Sequence, residues 1–368
     1  MIEIDGSLGE GGGQLLRSSL TLAAITGTPF RMTRIRARRR PPGLKPQHRK
    51  AVEAMAAICE ARVEGSGLGS QELFFEPGAI AAGDFSFDIG TAGATSLVLQ
   101  TIFLPLSLAC APSRVELRGG THVPWSPCFH YLKLQWLPCL QRVGFDADFE
   151  MARAGFHPAG GGIVRTAIRP VHSLRPIRLL KRGPLRAIRG MSAVARLDPR
   201  IAERQRDRAA RRLEGRAPAI NIEVANLPSR SPGTFLLLRA EFEGSAACFF
   251  ALGERGKPAE RVADEAVDEL LGFLSTRGAI DPHLADQLVL PLVLAPGESA
   301  LALSRVTSHL ATNAEIVRRF LPVRIEIDAP VGGAGVVRIE GGGIPHAEFV
   351  ARGRRTALPA HGSEPLPV

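Results

Sequence analysis

A repeated order of strands and helices is the feature that most limits the fold of this chain. Each copy runs strand, loop, helix, strand, loop, helix and then two strands. The first copy opens with a strand near Ile2–Asp5 and a helix from about Gln14 to Ile25, which ends at Gly27. The second opens with a strand at Phe85–Ile89. A period of about 80 residues is longer than that of solenoid repeats, so we predict a closed arrangement of α/β units.

The third copy is interrupted. We expect it to open at Gly160–Ile168, while its helix, about Leu284–Leu294, follows much later. Between them, about Gly183–Ser275, the pattern predicts a small α/β domain with an arginine-rich helix after Asp198-Pro199. The predicted fold class is α/β (α+β): a large domain of three repeated α/β units, residues 1–182 and 276–340, with a smaller inserted α/β domain, residues 183–275. Residues 341–368 lack periodicity and are expected to form a flexible tail.

Composition limits the partners and the compartment. Lysine and arginine outnumber aspartate and glutamate, 46 against 36, which permits a polyanionic partner without requiring one. The single Tyr and two Trp argue against recognition by aromatic stacking platforms. Five scattered cysteines without a metal-binding spacing indicate reduced thiols. The N-terminus is no signal peptide, and the uncharged stretch between Asp88 and Arg114 has an apolar part shorter than the ~20 residues of a membrane span. We expect a cytoplasmic protein with no membrane partner.

The first candidate site is the glycine-rich segment GEGGGQLLR, Gly9–Arg17. Consecutive glycines before a helix let backbone N–H groups approach a phosphate at the positive end of the helix. Glu10 would bind a divalent cation there, and Arg17 lies about one turn into the helix. The segment has neither the GK[ST] of a P-loop nor the GxGxxG dinucleotide motif. A tight strand-to-helix turn without a ligand is the alternative.

The second candidate is a basic loop around Arg36 and Arg39, which leads to Gln47. Its arginines have few acidic neighbours in the sequence, and arginine is well suited to bidentate phosphate contacts. A solvated basic edge is the alternative. A second arginine cluster, Arg200–Arg216, contains acidic residues that partly offset its charge, so for it we favour a solvated helix face.

The third candidate is His309, in the segment Thr307–Pro322. Thr312 and Glu315 have the spacing of a capping box, which places His309 three residues before the helix cap. A positive helix end would lower the histidine pKa and favour a neutral imidazole. A structural, hydrogen-bonding histidine is the alternative.

The fourth candidate is DPHLADQLVLP, Asp281–Pro291. His283 and Asp286 are three residues apart at the start of a helix, with Gln287 beside them, so a polar turn opens an otherwise apolar helix. Helix capping by Asp281 is the alternative.

Taken in order, these segments resemble the RNA 3′-terminal phosphate cyclases. The matching signatures are GEGGGQLLRSSL, IRARRRPPGLKPQH, DIGTAGATSLVLQT, HPAGGGI, HLADQLVLP and SHLATNAEIVRRFLP, and they cover about Ile2–Glu340. The resemblance implies three units, each like the C-terminal domain of a bacterial translation initiation factor, with a small inserted α/β domain.

The resemblance also implies the chemistry of an ATP-dependent ligase. His309 matches the family nucleophile, which would attack the α-phosphorus of ATP, form a histidine–AMP adduct and release pyrophosphate. The AMP would pass to the 3′-phosphate of an RNA, and the neighbouring 2′-OH would then close a 2′,3′-cyclic phosphate and expel AMP. RNA with a 3′-phosphate end and ATP are therefore the expected partners, and a homo-oligomer is compatible with the resemblance.

Further roles carry over by position. Glu10 matches a metal-site acid for Mg²⁺ or Mn²⁺. The residues that match the nucleotide pocket are Gln100, Pro127, His283, Leu284, Ala285, Asp286 and Gln287. Those that match positions near the phosphates of ATP or RNA are Arg17, Arg36, Arg39 and Gln47. His283 departs from the tyrosine expected against the adenine, which leaves the nucleotide preference open.

Two other functions compete with this interpretation. A non-catalytic relative that binds pre-ribosomal RNA would keep the fold but lack the nucleophile, whereas this sequence retains His309. An enolpyruvyl transferase is also built from repeated α/β units, but it would form no histidine–AMP adduct.

Overall fold

The structure, a computed structural model, describes residues 1–343. Its first unit contains β1 (Ile2–Asp5), α1 (Gly13–Thr26), β2 (Phe30–Thr33), α2 (Pro46–Cys59), β3 (Arg62–Glu64) and β4 (Leu73–Glu76). The second contains β5 (Asp84–Asp88), α3 (Thr95–Ser107), β6 (Ser113–Gly119), α4 (Phe129–Tyr131), a π-helical turn (Leu132–Trp136), α5 (Leu137–Val143), β7 (Asp146–Arg153) and β8 (Gly162–Arg169). The sheet orders, β1-β2-β4-β3 and β5-β6-β8-β7, are equivalent. The predicted repeat is confirmed for these units.

The third unit is divided along the chain. It begins with β9 (Arg178–Leu179). The chain then forms a separate sheet with its helices before it returns to the third unit. That sheet and its helices consist of β10 (Leu185–Ala195), α6 (Arg200–Leu213), β11 (Ile220–Asn226), β12 (Gly233–Phe242), β13 (Ala246–Leu252) and α7 (Ala259–Leu274). The third unit then continues with α8 (Leu284–Val293), β14 (Gly297–Leu303), α9 (Ser308–Phe320), β15 (Arg324–Ile327) and β16 (Gly335–Gly341). Its sheet order, β15-β16-β14-β9, repeats the pattern of the first two.

One sequence prediction about the third unit is wrong. Gly160–Ile168 does not open it, because most of this segment lies in β8 and pairs antiparallel with β6 and β7. A short turn is enough to fold β8 back onto β7, whereas a new parallel strand needs a long crossover connection. The true opening strand, β9, has two residues and pairs in parallel with β14, so it is too short to produce a recognisable alternation.

The sheet of β10–β13 has a hydrophobic core of its own with α6 and α7, which includes Ile188, Leu238, Val262 and Leu270. We propose on this basis that residues 183–275 form the inserted domain. The predicted tail, residues 341–368, begins inside β16 and lies outside the described residues from position 344 onward.

Helices from all three units pack together at the centre of the large domain. Helix α1 packs against α2, α3 and α9, and α8 packs against α9. Most residues of α1 and α3 are buried, which explains why α3 carries no charged residue. Thr21 Oγ1 of α1 donates to the carbonyl of Thr101 in α3 at 2.8 Å. Among residues 1–343, no helix has the length and hydrophobicity of a membrane span.

The arginine-rich helix α6 pairs with acidic residues of α7. Arg204 binds both carboxylate oxygens of Glu260 at 2.9 and 2.8 Å, and Arg208 binds Asp264 at 2.8 and 3.2 Å. Arg212 also contacts Asp264. Several arginines of this helix are therefore ion-paired with α7. This pairing agrees with the solvated-face interpretation rather than with a nucleic-acid contact.

Arg182 joins the two chain segments that lead into and out of the β10–β13 unit. Its guanidinium donates to four backbone carbonyls, those of Phe273, Leu274, Thr276 and Gly278, at 2.8–3.4 Å. It also lies 4.9 Å from the ring centroids of both Phe242 and Phe273. This one cation thus binds the last two carbonyls of α7 and two carbonyls of the segment that follows it.

A histidine pair lies where the second unit meets β12. His122 Nε2 and His130 Nδ1 are 2.8 Å apart, and the His122 ring stacks on Phe156 and Phe235. Burial lowers the pKa of His130 to about 4 and that of His122 well below its ordinary value. Both rings are therefore neutral at pH 7.

We predict that Arg182→Met lowers the free energy of unfolding by about 2–4 kcal/mol, because four charge-assisted, partly buried hydrogen bonds to backbone carbonyls are lost together. Arg186→Met is the matched control, since it removes only an exposed ion pair with Glu243 and should cost less than about 1 kcal/mol. Urea denaturation of both variants measures the difference. Equal losses would show that Arg182 does not join the two segments.

The histidine pair predicts a pH-dependent stability. The folded protein keeps both rings neutral while the unfolded chain binds protons below about pH 6.5, so stability is full above that pH and falls as the pH drops towards 4. Each histidine contributes up to about 1.4 kcal/mol per pH unit. His130→Gln should reduce the slope of unfolding free energy against pH, whereas His172→Gln, which alters an exposed ring, should not. An unchanged slope in His130→Gln would contradict the assignment.

Candidate functional site

The first turns of three helices, one from the first unit and two from the third, meet beside the glycine-rich loop. They are the starts of α1, α8 and α9, and they bring together Gln14, Asp286 and His309. Gly9 and Gly11 in the loop have φ of +56° and +57°, a left-handed conformation that favours glycine. The loop therefore folds around the start of α1 as the sequence predicts.

His309 is held on both sides of its ring. Its Nδ1 contacts Gln14 Oε1, and its Nε2 lies 3.2 Å from Glu10 Oε2. Glu10 also accepts a hydrogen bond from Ser308 Oγ and lies 3.8 Å from Arg39 Nη2. Burial lowers the pKa of His309, and Arg17 acts in the same direction, while Glu10 opposes them. The ring is thus fixed in orientation and favoured in its neutral form.

The predicted position of His309 relative to its helix is wrong by several residues. Helix α9 begins at Ser308, and its N-cap is Thr307, whose Oγ1 accepts a hydrogen bond from Leu310 N at 3.1 Å. Thr312 lies inside the helix and packs against Gly9, so it cannot be the cap. The capping box spacing misled the prediction because a second threonine with the right geometry precedes it. His309 therefore lies within the first turn, at the positive end of the helix.

Asp286 connects the helices behind the histidine. Its Oδ2 accepts from Gln14 Nε2 at 3.2 Å, and its backbone carbonyl accepts from Asn313 Nδ2 at 2.8 Å. Burial raises the pKa of Asp286 to about 7. Burial also lowers the pKa of Arg17 to about 10, while Asp286 opposes that change. Arg17 is therefore still protonated at neutral pH.

A second hydrogen-bonded group extends from α8 to α3. Gln100 Nε2 donates to Gln287 Oε1 at 2.7 Å, and Gln287 Nε2 donates to the carbonyl of His283 at 2.8 Å. The His283 side chain is exposed beside them. These three predicted pocket residues are brought together.

Other predicted pocket residues are placed differently. Leu284 and Ala285 are buried in the hydrophobic core. Pro127 lies half-buried in the loop before α4. Asp281 accepts hydrogen bonds from the backbone N–H groups of His283 and Leu284, both at 3.0 Å, so it caps this turn as the alternative interpretation held.

The arginines of the basic loop divide into two roles. Arg36 is 7% exposed, and its Nη1 donates to the carbonyls of Pro41 and Gly43 at 3.0 and 2.8 Å, so it holds the loop itself. Arg39 is half exposed and lies beside Glu10. Gln47 Oε1 accepts from Ala94 N at 3.2 Å, ahead of α3.

Three residues of the site were missed by sequence reasoning. Gln14 contacts both His309 and Asp286, and Ser308 contacts Glu10. His48 is buried beside Gly13, where a Cβ would collide with its ring, and burial lowers its pKa to about 3. The pairing of Gln14 with a residue nearly three hundred positions away leaves no local signal.

The protein ligands near Glu10 limit the ways in which a metal ion could bind there. Residues 1–343 contain no group of three or more His, Cys, Asp or Glu side chains placed to hold a metal. Mg²⁺ commonly binds through one or two carboxylates and takes its other ligands from water and substrate phosphates. Glu10 alone fits that mode of binding, whereas it does not fit a metal site made only of protein ligands.

Comparison with known proteins agrees with the geometry. Residues 8–327 match the family model described as RNA 3′-terminal phosphate cyclase. A protein of that name from Methylococcus capsulatus is 46% identical over 357 residues, which are 94% of this chain and 99% of the relative. Another, from Methanopyrus kandleri, is 43% identical over 346 residues, which are 92% of this chain and 98% of the relative.

Among solved structures, the enolpyruvyl transferase NikO from Streptomyces tendae matches with a TM-score of 0.38 and 10% identity. That match covers 94% of this chain and 49% of NikO, and the score is too low to support an argument about fold or function. The family match spans most of the chain and the two relatives exceed 40% identity. The chain therefore belongs to the RNA 3′-terminal phosphate cyclase family and is an enzyme of that family.

Proposed function

We propose that this ligase converts the 3′-phosphate end of an RNA into a 2′,3′-cyclic phosphate, with ATP as the adenylyl donor and His309 as the nucleophile. The observation that carries the proposal is the placement of His309 in the first turn of α9, oriented by Gln14 on one side and facing Glu10 on the other.

Gln14 determines which ring nitrogen reacts. Its Nε2 donates to Asp286, so its Oε1 is left to accept a hydrogen bond from the N–H at His309 Nδ1. In the neutral ring the lone pair then lies on Nε2. Burial favours that neutral form. Nε2 would attack the α-phosphorus of ATP, an Nε2–P bond would form, and the bond to the departing pyrophosphate would break.

The surrounding charges suit a triphosphate. Arg17 stays protonated, Arg39 is half exposed, and the starts of α1 and α9 present backbone N–H groups at their positive ends. A divalent cation, Mg²⁺ or Mn²⁺, held by Glu10 would supply further compensation of the phosphate charge when bound.

The next two steps regenerate the enzyme. A 3′-phosphate oxygen of the RNA would attack the phosphorus of the bound AMP and break the P–N bond, which frees His309. The adjacent 2′-OH would then attack the 3′-phosphorus, so that the cyclic ester forms and AMP leaves. Each step replaces one ester, anhydride or phosphoramidate bond with another, so the energy of ATP drives a dehydration in water.

We assign the base of ATP to the second hydrogen-bonded group, which extends from α8 to α3. Gln100, His283 and Gln287 lie on one connected set of hydrogen bonds, and the exposed imidazole of His283 offers a smaller stacking surface than a tyrosine. We infer that ATP binds across this group and the His309 cluster, which share α8.

The non-catalytic alternative is less well supported. A protein that only binds RNA gains nothing from a glutamine that orients one histidine nitrogen, yet Gln14 and Asp286 are placed to provide that orientation. The cyclase mechanism gives a role to Gln14, Asp286 and His309 together.

We predict that the protein, incubated with α-³²P-ATP and Mg²⁺, gives a labelled band that is acid-labile and alkali-stable, and that His309→Ala abolishes it. His157→Ala, which alters an exposed histidine elsewhere, should label like the wild type. Denaturing electrophoresis reads the result, after pyrophosphate has removed any AMP already bound. A wild type that folds and binds ATP without becoming labelled would rule out the histidine–AMP mechanism.

We also predict that Gln14→Met slows adenylylation by about 10- to 100-fold, because a misoriented imidazole loses its alignment with phosphorus. The KM for ATP should change much less, since Gln14 is proposed to act on the ring and not on the nucleotide. Gln71→Met, an exposed glutamine, is the matched control. A rise in KM with an unchanged rate would instead assign Gln14 to ATP binding.

A further inference from the structure

Trp125 is an exception to the rule that large aromatic side chains are buried. It is 99% exposed, whereas Trp136 is 2% exposed and lies in the core. Its backbone has φ of +65°, in the left-handed region that bulky residues rarely adopt. Such a conformation persists only where the surrounding structure imposes it, and it often marks a functional position.

The loop that carries Trp125 is firmly anchored. Phe129 N donates to the carbonyl of Thr121 at 2.9 Å and closes the loop at its base. Ser126 Oγ donates to the carbonyl of Val123 at 3.1 Å, and Val123 is buried. The indole is therefore held out at the tip of an ordered loop.

Trp125 lines a cavity of about 880 Å³ between the large domain and the β10–β13 unit. One wall comes from the edge strand β13 and from α7, and it includes Phe250 and Leu252. The lining also includes Pro282, Ser304 and Arg305 of the large domain. The volume lies within the range of small-molecule and cofactor sites.

The cavity borders the proposed active site but is not part of it. Pro282 directly precedes His283, and Arg305 lies in the segment that leads into α9 and His309. None of the residues that line the cavity belongs to the groups proposed to bind ATP, which are Gln100, His283 and Gln287 for the base and Arg17 and Arg39 for the phosphates. The second substrate is therefore the better candidate for this space.

The charged residues that line the cavity indicate where a base and where a phosphate of the RNA would lie. Arg305 is exposed and makes no ion pair within residues 1–343. The side formed by β13, α7 and the loop between them carries four acidic residues, Glu254, Glu265, Asp268 and Glu269, against one lysine, Lys257, so it would repel a phosphate. An RNA strand can thus place a phosphate near Arg305 and a base against the indole, while its backbone stays away from α7.

We propose that Trp125 stacks on a base near the 3′ end of the RNA substrate and that this cavity receives that nucleotide. The inference rests on the proposed function for the identity of the substrate. One exposed indole differs from the multi-residue stacking platform that the low aromatic content excludes, and stacking on it tolerates any base because every base has a π-face.

The test compares Trp125→Ala, Trp125→Phe and the control Leu68→Ala, which removes another exposed hydrophobic side chain. Because the indole is almost fully exposed, none of these changes should impair folding. Three quantities are measured on the full chain: the KM for ATP in adenylylation without RNA, the Kd for a fluorescent 3′-phosphate RNA by anisotropy, and the KM for that RNA in cyclisation. RNAs that lack one base at the first, second, third or tenth position from the 3′ end are compared with the intact RNA.

Trp125→Ala should leave the KM for ATP unchanged and raise the Kd and KM for RNA by about 5- to 100-fold. Trp125→Phe should retain most of the affinity, and Leu68→Ala all of it. Removal of one of the three terminal bases should weaken binding to the wild type by a similar factor, add nothing in Trp125→Ala, and have no effect at the tenth position.

Unchanged RNA affinity in Trp125→Ala would overturn the inference. So would a loss of affinity in Trp125→Ala that adds to the loss caused by each missing base. A rise in the KM for ATP would reassign the cavity to the adenine of ATP and overturn it as well. If Trp125→Ala loses RNA affinity while the wild type never becomes adenylylated, the stacking inference is supported and the proposed catalytic function is refuted. The two failures are therefore distinguishable.

Discussion

The side chain of Asn313 connects the three helices on which the site depends. Its Nδ2 donates to the carbonyl of Asp286 in α8, and its Oδ1 accepts from Ser18 Oγ of α1 at 2.6 Å. Asn313 is 4% exposed, so both of its polar atoms must be satisfied inside the protein. Apolar packing alone would let the helices slide by part of a turn, whereas these directional bonds determine their register. That register places Gln14 and His309 in contact.

Burial of these helix starts explains the unusual acid–base properties of the site. Burial raises the pKa of Asp286 and lowers those of Arg17 and His309, so each group is moved towards its neutral form. The hydrogen bonds from Gln14 and the nearby opposite charges limit these shifts without cancelling them. The site thus combines one cation, one readily protonated carboxyl and one neutral imidazole within the first turns of helices that attract anions.

The repeated units could be predicted because their strands and helices alternate with clear periodicity and their loops are rich in glycine. The opening of the third unit could not, since β9 has two residues and β8 has the pattern of an opening strand. Glu10, Gln100, Asp286, Gln287 and His309 were named from motifs, yet nothing in the chain reveals that Gln14 and His309 touch. The role of Arg36 also depended on tertiary contacts, because the sequence cannot distinguish an arginine that binds its own loop from one that faces solvent.

The contact between Glu10 and His309 would, in the proposed mechanism, affect when His309 can react. One carboxylate contacts Ser308, lies 3.2 Å from His309 Nε2 and is close to Arg39. If Gln14 Oε1 accepts a hydrogen bond from Nδ1–H, a neutral ring would place its Nε2 lone pair against a carboxylate oxygen, and two acceptors at that distance repel. The contact therefore favours a proton on Nε2, in opposition to burial. In the proposed mechanism, a ligand that draws Glu10 away from the ring would remove that opposition, so phosphate binding and the nucleophilicity of His309 would be coupled through one carboxylate.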